Sequence, residues 1–328
     1  MLPKISIVTP SFNQGKYIEQ TILSVLNQNY PNLEYIIIDG GSTDDTVEII
    51  KKHEQHLTYW ISEPDKGQTD AINKGFAKCT GEIFNWINSD DYYQPGTFNK
   101  LAQIFSERLE VNVVCGKEWS FNDERPEEKT LNVGSIIKQN VYETIRVGII
   151  DQPCTFFRKN KIDSFFPLDI TLRYVMDKQL WWSYLLKYGQ DNIHNTNEIF
   201  TWFRIHPKSK SIEDQEYFET ETDLLRMSLF RQLRAPIILE EQLSPGYRPS
   251  IDLNWSILIK NSNKILATFG TFYAERHYVK NDLDTTSRLM SHVIRWKGLG
   301  LNVKEWKLLI LSKILPIQIT RWLKKIKN

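Results

Sequence analysis

Along the first hundred residues the apolar positions alternate between two periods. Ile5-Ser6-Ile7-Val8 reads as a short buried strand, and residues 17–28, with Ile18, Ile22, Val25 and Leu26 on one side, as an amphipathic helix. A second apolar run, 33–38, ends at Asp39-Gly40-Gly41, and Ser42-Thr43-Asp44-Asp45 then offers a helix start that runs to about Lys52. The alternation continues with strands over 57–62 and 82–88, helices over 67–79 and 95–105, and a strand over 111–115. This order predicts an α/β fold, an open and mostly parallel sheet with helices on both faces.

After residue 117 the pattern weakens, and 122–129 is polar and loop-like. Residues 148–158 read as a strand, 177–188 as an aromatic-rich helix and 193–205 as a strand, followed by the polar segment His206-Pro207-Lys208-Ser209-Lys210-Ser211. From 214 the chain reads as helical, with breaks at Pro236, Pro245, Gly298 and Pro316, so the expected division is 1–235 and a helical extension 236–328.

Charge narrows the function. The 41 Lys and Arg residues nearly balance 40 Asp and Glu, which argues against a nucleic-acid binder working through a general positive field. Three isolated cysteines lack paired zinc spacing and fit a reduced, cytoplasmic protein. The start of the chain has no signal-peptide pattern, and no apolar run reaches transmembrane length. The 10 Trp and 14 Tyr suit either a core or a sugar-stacking surface.

Four strand ends carry polar residues: Thr9-Pro10-Ser11-Phe12-Asn13, Asp39-Gly40-Gly41-Ser42, Glu63-Pro64-Asp65-Lys66-Gly67 and Ser89-Asp90-Asp91. In a parallel sheet these fall on one edge, where ligands bind. The adjacent Asp90 and Asp91 suit a divalent cation shared with phosphates; a helix cap or turn is the competing use.

These strings, with Gln68-Thr69-Asp70, Met176-Asp177 and Phe203-Arg204-Ile205-His206, resemble the family 2 glycosyltransferases of GT-A fold over residues 4 to 211. The resemblance implies a nucleotide-sugar donor. It places Thr9, Pro10 and Asn13 against the nucleotide, Asp39 on the N3–H of a uracil-type base, Lys66 and Gly67 at nucleotide or phosphate, and Asp70 at the donor site. It makes Asp91 the metal ligand of a variant Asp-any-Asp motif whose first position is Ser89, with Asp90 near ribose or diphosphate. The metal implied is Mn2+ or Mg2+, with His206 joining metal or phosphates, and Lys208 and Lys210 closing over the diphosphate. Asp177 matches the catalytic base of an inverting transfer, with Met176 where an acid is frequent. Gln152 lies on the acceptor side, and Trp181 and Trp182 offer an aromatic face for a sugar or for the core.

Gln318-Ile319-Thr320-Arg321-Trp322 matches a signature of processive synthases, but at the far C-terminus, without flanking transmembrane helices, it reads as coincidence. Ile319, Trp322, Leu323 and Ile326 instead form one face of a basic amphipathic helix, suited to a membrane surface or to packing. The expectation is therefore a metal-dependent, non-processive hexosyltransferase, moving a sugar from a UDP-sugar to a glycan or lipid-linked acceptor, with peripheral membrane contact. A nucleotidyltransferase making nucleotide sugars and a non-catalytic nucleotide-sugar-binding protein are the alternatives.

Overall fold

The computed structural model describes residues 2–207, 209–210, 214–243, 251, 253–257 and 262–314. The chain forms two compact units, one of residues 1–137, 148–185 and 189–218, the other of 138–147, 186–188 and 219–328.

The first unit is built on β1 (Ile5–Ser11), α1 (Ile18–Leu26), β2 (Leu33–Asp39), α2 (Thr46–His53), β3 (Tyr59–Ser62), α3 (Gln68–Phe76) and β4 (Ile83–Trp86). β1 lies between β2 and β4, and β2 pairs β3, all parallel. Every residue of β1 is buried, as is Ile36-Ile37-Ile38 of β2, because helices cover the sheet. Each such side chain contributes about 1.5–3 kcal/mol by leaving water. Helix α3 lies close to the sheet at Gly75: a Cβ there would stand 2.4 Å from Val8 Cγ1.

The rest of this sheet is mixed. After β5 (Tyr92–Tyr93) and α4 (Thr97–Glu107) come β6 (Val113–Asn122) and β7 (Lys129–Asn132); after α5 (Val141–Val147), β8 (Thr155–Arg158), α6 (Met176–Tyr188) and β9 (Ile193–Ile205). Among the described residues the strand order is β3-β2-β1-β4-β8-β6-β9-β5, with β7 on β6. Strand β8 runs antiparallel to both β4 and β6, whereas β6 and β9 are parallel. Two expected strands change length. The 111–115 strand runs on to Asn122, because β7 and β9 supply pairing partners for its second half. The 148–158 strand shrinks to β8, and the preceding residues form a loop pinned by hydrogen bonds of Ser135 Oγ to Asp151 N and Thr155 Oγ1, each 2.8 Å.

The second unit is helical: α7 (Gln215–Gln232) begins in the first unit and continues here, followed by α8 (Ile237–Glu240), α9 (Ser262–Val279), α10 (Leu283–Lys297) and α11 (Val303–Leu309). Ile265, Phe269 and Tyr273 of α9 and Leu289, Met290 and Val293 of α10 are buried in its core. Asn302 and Glu305 form a capping box at α11, and Glu305 also accepts from Lys297 Nζ at 2.6 Å. Among the described residues no helix is long and apolar enough to cross a membrane. The amphipathic segment 319–327 lies outside them, as does Lys208.

Candidate active site

The carboxyl ends of the parallel strands open into a cavity of about 1270 Å³. Pro10, Gly40, Lys66 and Gly67 line it from the first three strand ends, Asn88, Ser89 and Asp90 from the fourth, and Gln152, Asp177, Arg204 and Lys210 from the second half of the chain.

The cavity wall at the first three strand ends departs from expectation at several residues. Asp39 is fully buried: Oδ2 accepts from Gly41 N–H (3.1 Å), Ser42 N–H (2.9 Å) and Ser62 Oγ (2.6 Å), and Oδ1 from Ser42 Oγ (2.5 Å). Three of these bonds fall on Oδ2 and one on Oδ1, so Asp39 is held in its own turn and does not line the cavity. Asp65 lies at the cavity wall. Gly40 makes room for it, since a Cβ at 40 would lie 2.8 Å from Asp65 Oδ2. Burial raises the Asp65 carboxyl, with the charges of Asp70 and Asp39 adding to it, against the pull of Gly67 N–H and Lys74.

Thr9 is likewise buried, its Oγ1 3.1 Å from Tyr35 Oη. Asn13 binds the neighbouring loop, its Oδ1 accepting from Thr43 N–H at 2.9 Å. Asp70 accepts from Lys66 N–H at 3.0 Å and shapes the loop before α3. Thr9, Asn13 and Asp70 therefore hold the strand ends beside the cavity without lining it.

The acidic turn is also reassigned. Asp91 is 1% exposed and points inward, Oδ1 accepting from Arg204 N–H at 2.9 Å. Burial and the adjacent Asp90 charge hold its carboxyl well above the ordinary range. Asp90 is the member that faces the cavity, with Oδ2 3.1 Å from His206 Nε2. Of this turn, Asn88, Ser89 and Asp90 line the cavity and Asp91 does not. Arg204 fastens this turn: Nε donates to the Asp90 carbonyl at 2.9 Å, and the guanidinium binds Asp123 and Gln20. Although burial opposes it, Lys16 and Arg204 hold the Asp123 carboxyl at about 2. Lys210 Nζ reaches Gln68 Oε1 at 2.8 Å, and Gln68 Nε2 reaches Asn88 Oδ1 at 2.8 Å, so this lysine closes the same side.

Asp177 stands in the first turn of α6, half-buried, with Oδ1 accepting from Lys178 N–H at 2.7 Å. Burial pushes its carboxyl up to about 6, aided by the charge of Asp151 and opposed by Lys178. Gln152 lines the cavity while its Nε2 is held by Asn85 Oδ1 (2.7 Å) and the Trp86 carbonyl (2.8 Å). Trp181 and Trp182 are corrected: both are fully buried, and Trp181 packs on Phe157 and Tyr184. Helix α6 is covered on several sides, so its aromatics belong to the core.

Sequence reasoning missed Asp65, Glu118 and Asp151 as cavity residues. Asp65 stood in a polar strand end and was recoverable. Glu118 and Asp151 carried no local signal, because the antiparallel pairing of β6 and β8 brings their segments together.

The glycosyl transferase family 2 model matches residues 6–166. An uncharacterized glycosyltransferase of Rickettsia typhi is 24% identical over 292 residues, covering 85% of this chain and 82% of the relative. The putative teichuronic acid biosynthesis glycosyltransferase TuaG of Bacillus subtilis is 32% identical over 135 residues, which are 40% of this chain and 53% of TuaG. The fold resembles that of S. aureus TarS 1–349 in complex with UDP-GlcNAc, with a TM-score of 0.60 at 14% identity, covering 95% of this chain and 90% of that one. With the strand-end cavity already in place, these likenesses identify residues 6–166 as a glycosyl transferase family 2 domain, on the GT-A fold.

Proposed function

We propose that the chain is an inverting hexosyltransferase that moves a sugar from a nucleotide-diphosphate donor, a UDP-sugar, to a hydroxyl of a glycan or lipid-linked oligosaccharide. The observation that carries this reading is one cavity lined by both Asp90, which His206 Nε2 meets at 3.1 Å, and Asp177 with its raised carboxyl. The donor class is supported by the UDP-GlcNAc bound in the TarS neighbour, and the acceptor class by the naming of TuaG for teichuronic acid biosynthesis.

The donor set suits a divalent cation: the Asp90 carboxylate lines the cavity, and the His206 imidazole nitrogen stands 3.1 Å from it. Asp90 and His206 would hold Mn2+ or Mg2+, which would neutralise charge on the departing diphosphate. Lys66 and Lys210 bring positive charge to the cavity wall for the same phosphates. Asp177 removes the proton of the acceptor hydroxyl as its oxygen bonds to the anomeric carbon and the bond to the diphosphate breaks. A raised carboxyl still ionised at neutral pH is well matched to that work. Peripheral membrane contact through 319–327 would bring the enzyme to a lipid-linked acceptor.

Calorimetry with UDP, dTDP and GDP, with and without Mn2+, tests the donor site on the wild type and on Asp90→Ala. Metal-dependent UDP binding lost in Asp90→Ala is expected. No binding of any nucleotide would refute the reading.

A further inference from the structure

Two carboxyl groups outside the roles above share the cavity with Asp177. Glu118 on β6 is 3% exposed, and both it and Asp151, in the loop before β8, line the cavity. Their carboxyl oxygens and Cys154 Sγ lie within 4.8 Å of one another. Glu118 Oε1 accepts from Asn132 Nδ2 at 2.9 Å, whereas the buried Oε2 meets no N–H or hydroxyl donor among the described residues. Asp151 is fixed through its backbone, its N–H donating to Ser135 Oγ at 2.8 Å and its carbonyl accepting from Thr155 Oγ1 at 2.6 Å.

The carboxyl oxygens of the two side chains stand within 4.8 Å of each other. Two carboxylates this close repel in a poorly hydrated place, so the pair keeps one proton. The Cys154 thiol beside them is directed at the carbonyls of Gly116 (3.3 Å) and Asp151 (3.5 Å). No Lys or Arg forms an ion pair with either acid among the described residues, so no cation offsets a double charge.

We propose that Glu118 and Asp151 hold one proton between them as a pair of charge −1, and that this pair is a positioning element that keeps Asp177 basic. The inference rests on the reading of Asp177 as the base. A single charge in a poorly hydrated cavity disfavours a second one nearby, so Asp177 binds its proton more tightly and removes one from a hydroxyl more readily. Burial raises both members of the pair, Glu118 the more strongly. The charged and titratable groups that act on Asp177 include Asp151 and Lys178; those that interact with the pair include Cys154 and, with Asp151, Cys115 and, with Glu118, Asp91.

The test is side-chain carboxyl NMR titration of the full chain labelled at Asp and Glu, with Asp177 assigned through Asp177→Asn. Glu118→Gln preserves the shape and leaves Asp151 to carry the single charge, so the Asp177 midpoint stays in place. The double variant Glu118→Gln/Asp151→Asn removes the charge at constant shape, and the Asp177 midpoint falls by about one unit, a tenfold change in proton affinity. The acid limb of the turnover–pH profile moves with it, which loss of packing alone would not do. An unmoved midpoint in the double variant overturns the proposal, as does a single-variant shift of the same size. Should the double variant not fold, the wild type must still show an alkaline carboxyl step that is absent from Glu118→Gln; its absence from the wild type overturns the pairing. Broadening of Asp151 by Mn2+ in an Asp90→Ala background would also overturn it, making the pair a cation site. None of these titrations needs a substrate, so failure to find a donor would sink the transferase reading without deciding this one.

Discussion

Replacing Asp177 by Asn should abolish transfer and yet stabilise the protein above neutral pH. The carboxyl is raised from 3.8 to about 6, so the folded state favours the protonated form. Its stabilising contribution is complete below the unfolded value and is lost as pH rises through about 6. Two pKa units correspond to roughly 3 kcal/mol. The side chain opens on the solvated cavity, which lowers the usable figure to about 1–2 kcal/mol. Asn mimics the protonated acid and can keep the hydrogen bond from Lys178 N–H. Thermal unfolding at pH 8 should show the variant melting about 2–6 °C higher. At pH 5 roughly half of that advantage should remain, and below pH 3.8 none. Transfer should fall by about 10²–10⁴-fold, measured as release of nucleotide diphosphate. An Asn variant that is less stable than wild type at pH 8, or an advantage that does not shrink with acid, would refute the reasoning.

Asp90→Ala and Asp91→Ala should separate: the first loses metal-dependent nucleotide binding at nearly unchanged stability, whereas the second orphans Arg204 N–H and loses about 1–3 kcal/mol in urea unfolding. Trp181→Ala should cost about 3–5 kcal/mol by leaving a cavity in the core, and loss of acceptor affinity at unchanged stability would restore the sugar-stacking role. Gly75→Ala should lower the melting temperature, because the added methyl meets Val8 Cγ1 at 2.4 Å; a cost below about 1 kcal/mol would show that α3 shifts freely on the sheet.

The sequence by itself determined the first half of the sheet and the edge on which the cavity lies. β1 to β4 and the helices between them each bury a face whose period is written locally, and a parallel sheet sends its polar strand ends to one side. The family resemblance also pointed to Asp177, which lines the cavity from the first turn of α6. Tertiary structure alone decided which of two adjacent acids meets the cavity. Neighbours in a turn point different ways, and Arg204, 113 residues away from Asp91, selects the inward one. It likewise gave Asp39 to its own turn and left Asp65 at the wall, through Ser62 on the neighbouring strand. Trp181 and Trp182 went to the core because packing on several sides of α6 leaves no apolar period to reveal a single inner face. The Glu118–Asp151 pair exists only through the antiparallel register of β6 and β8. Local periodicity records that a residue is buried; which partner it meets is set by contacts between segments far apart in the chain.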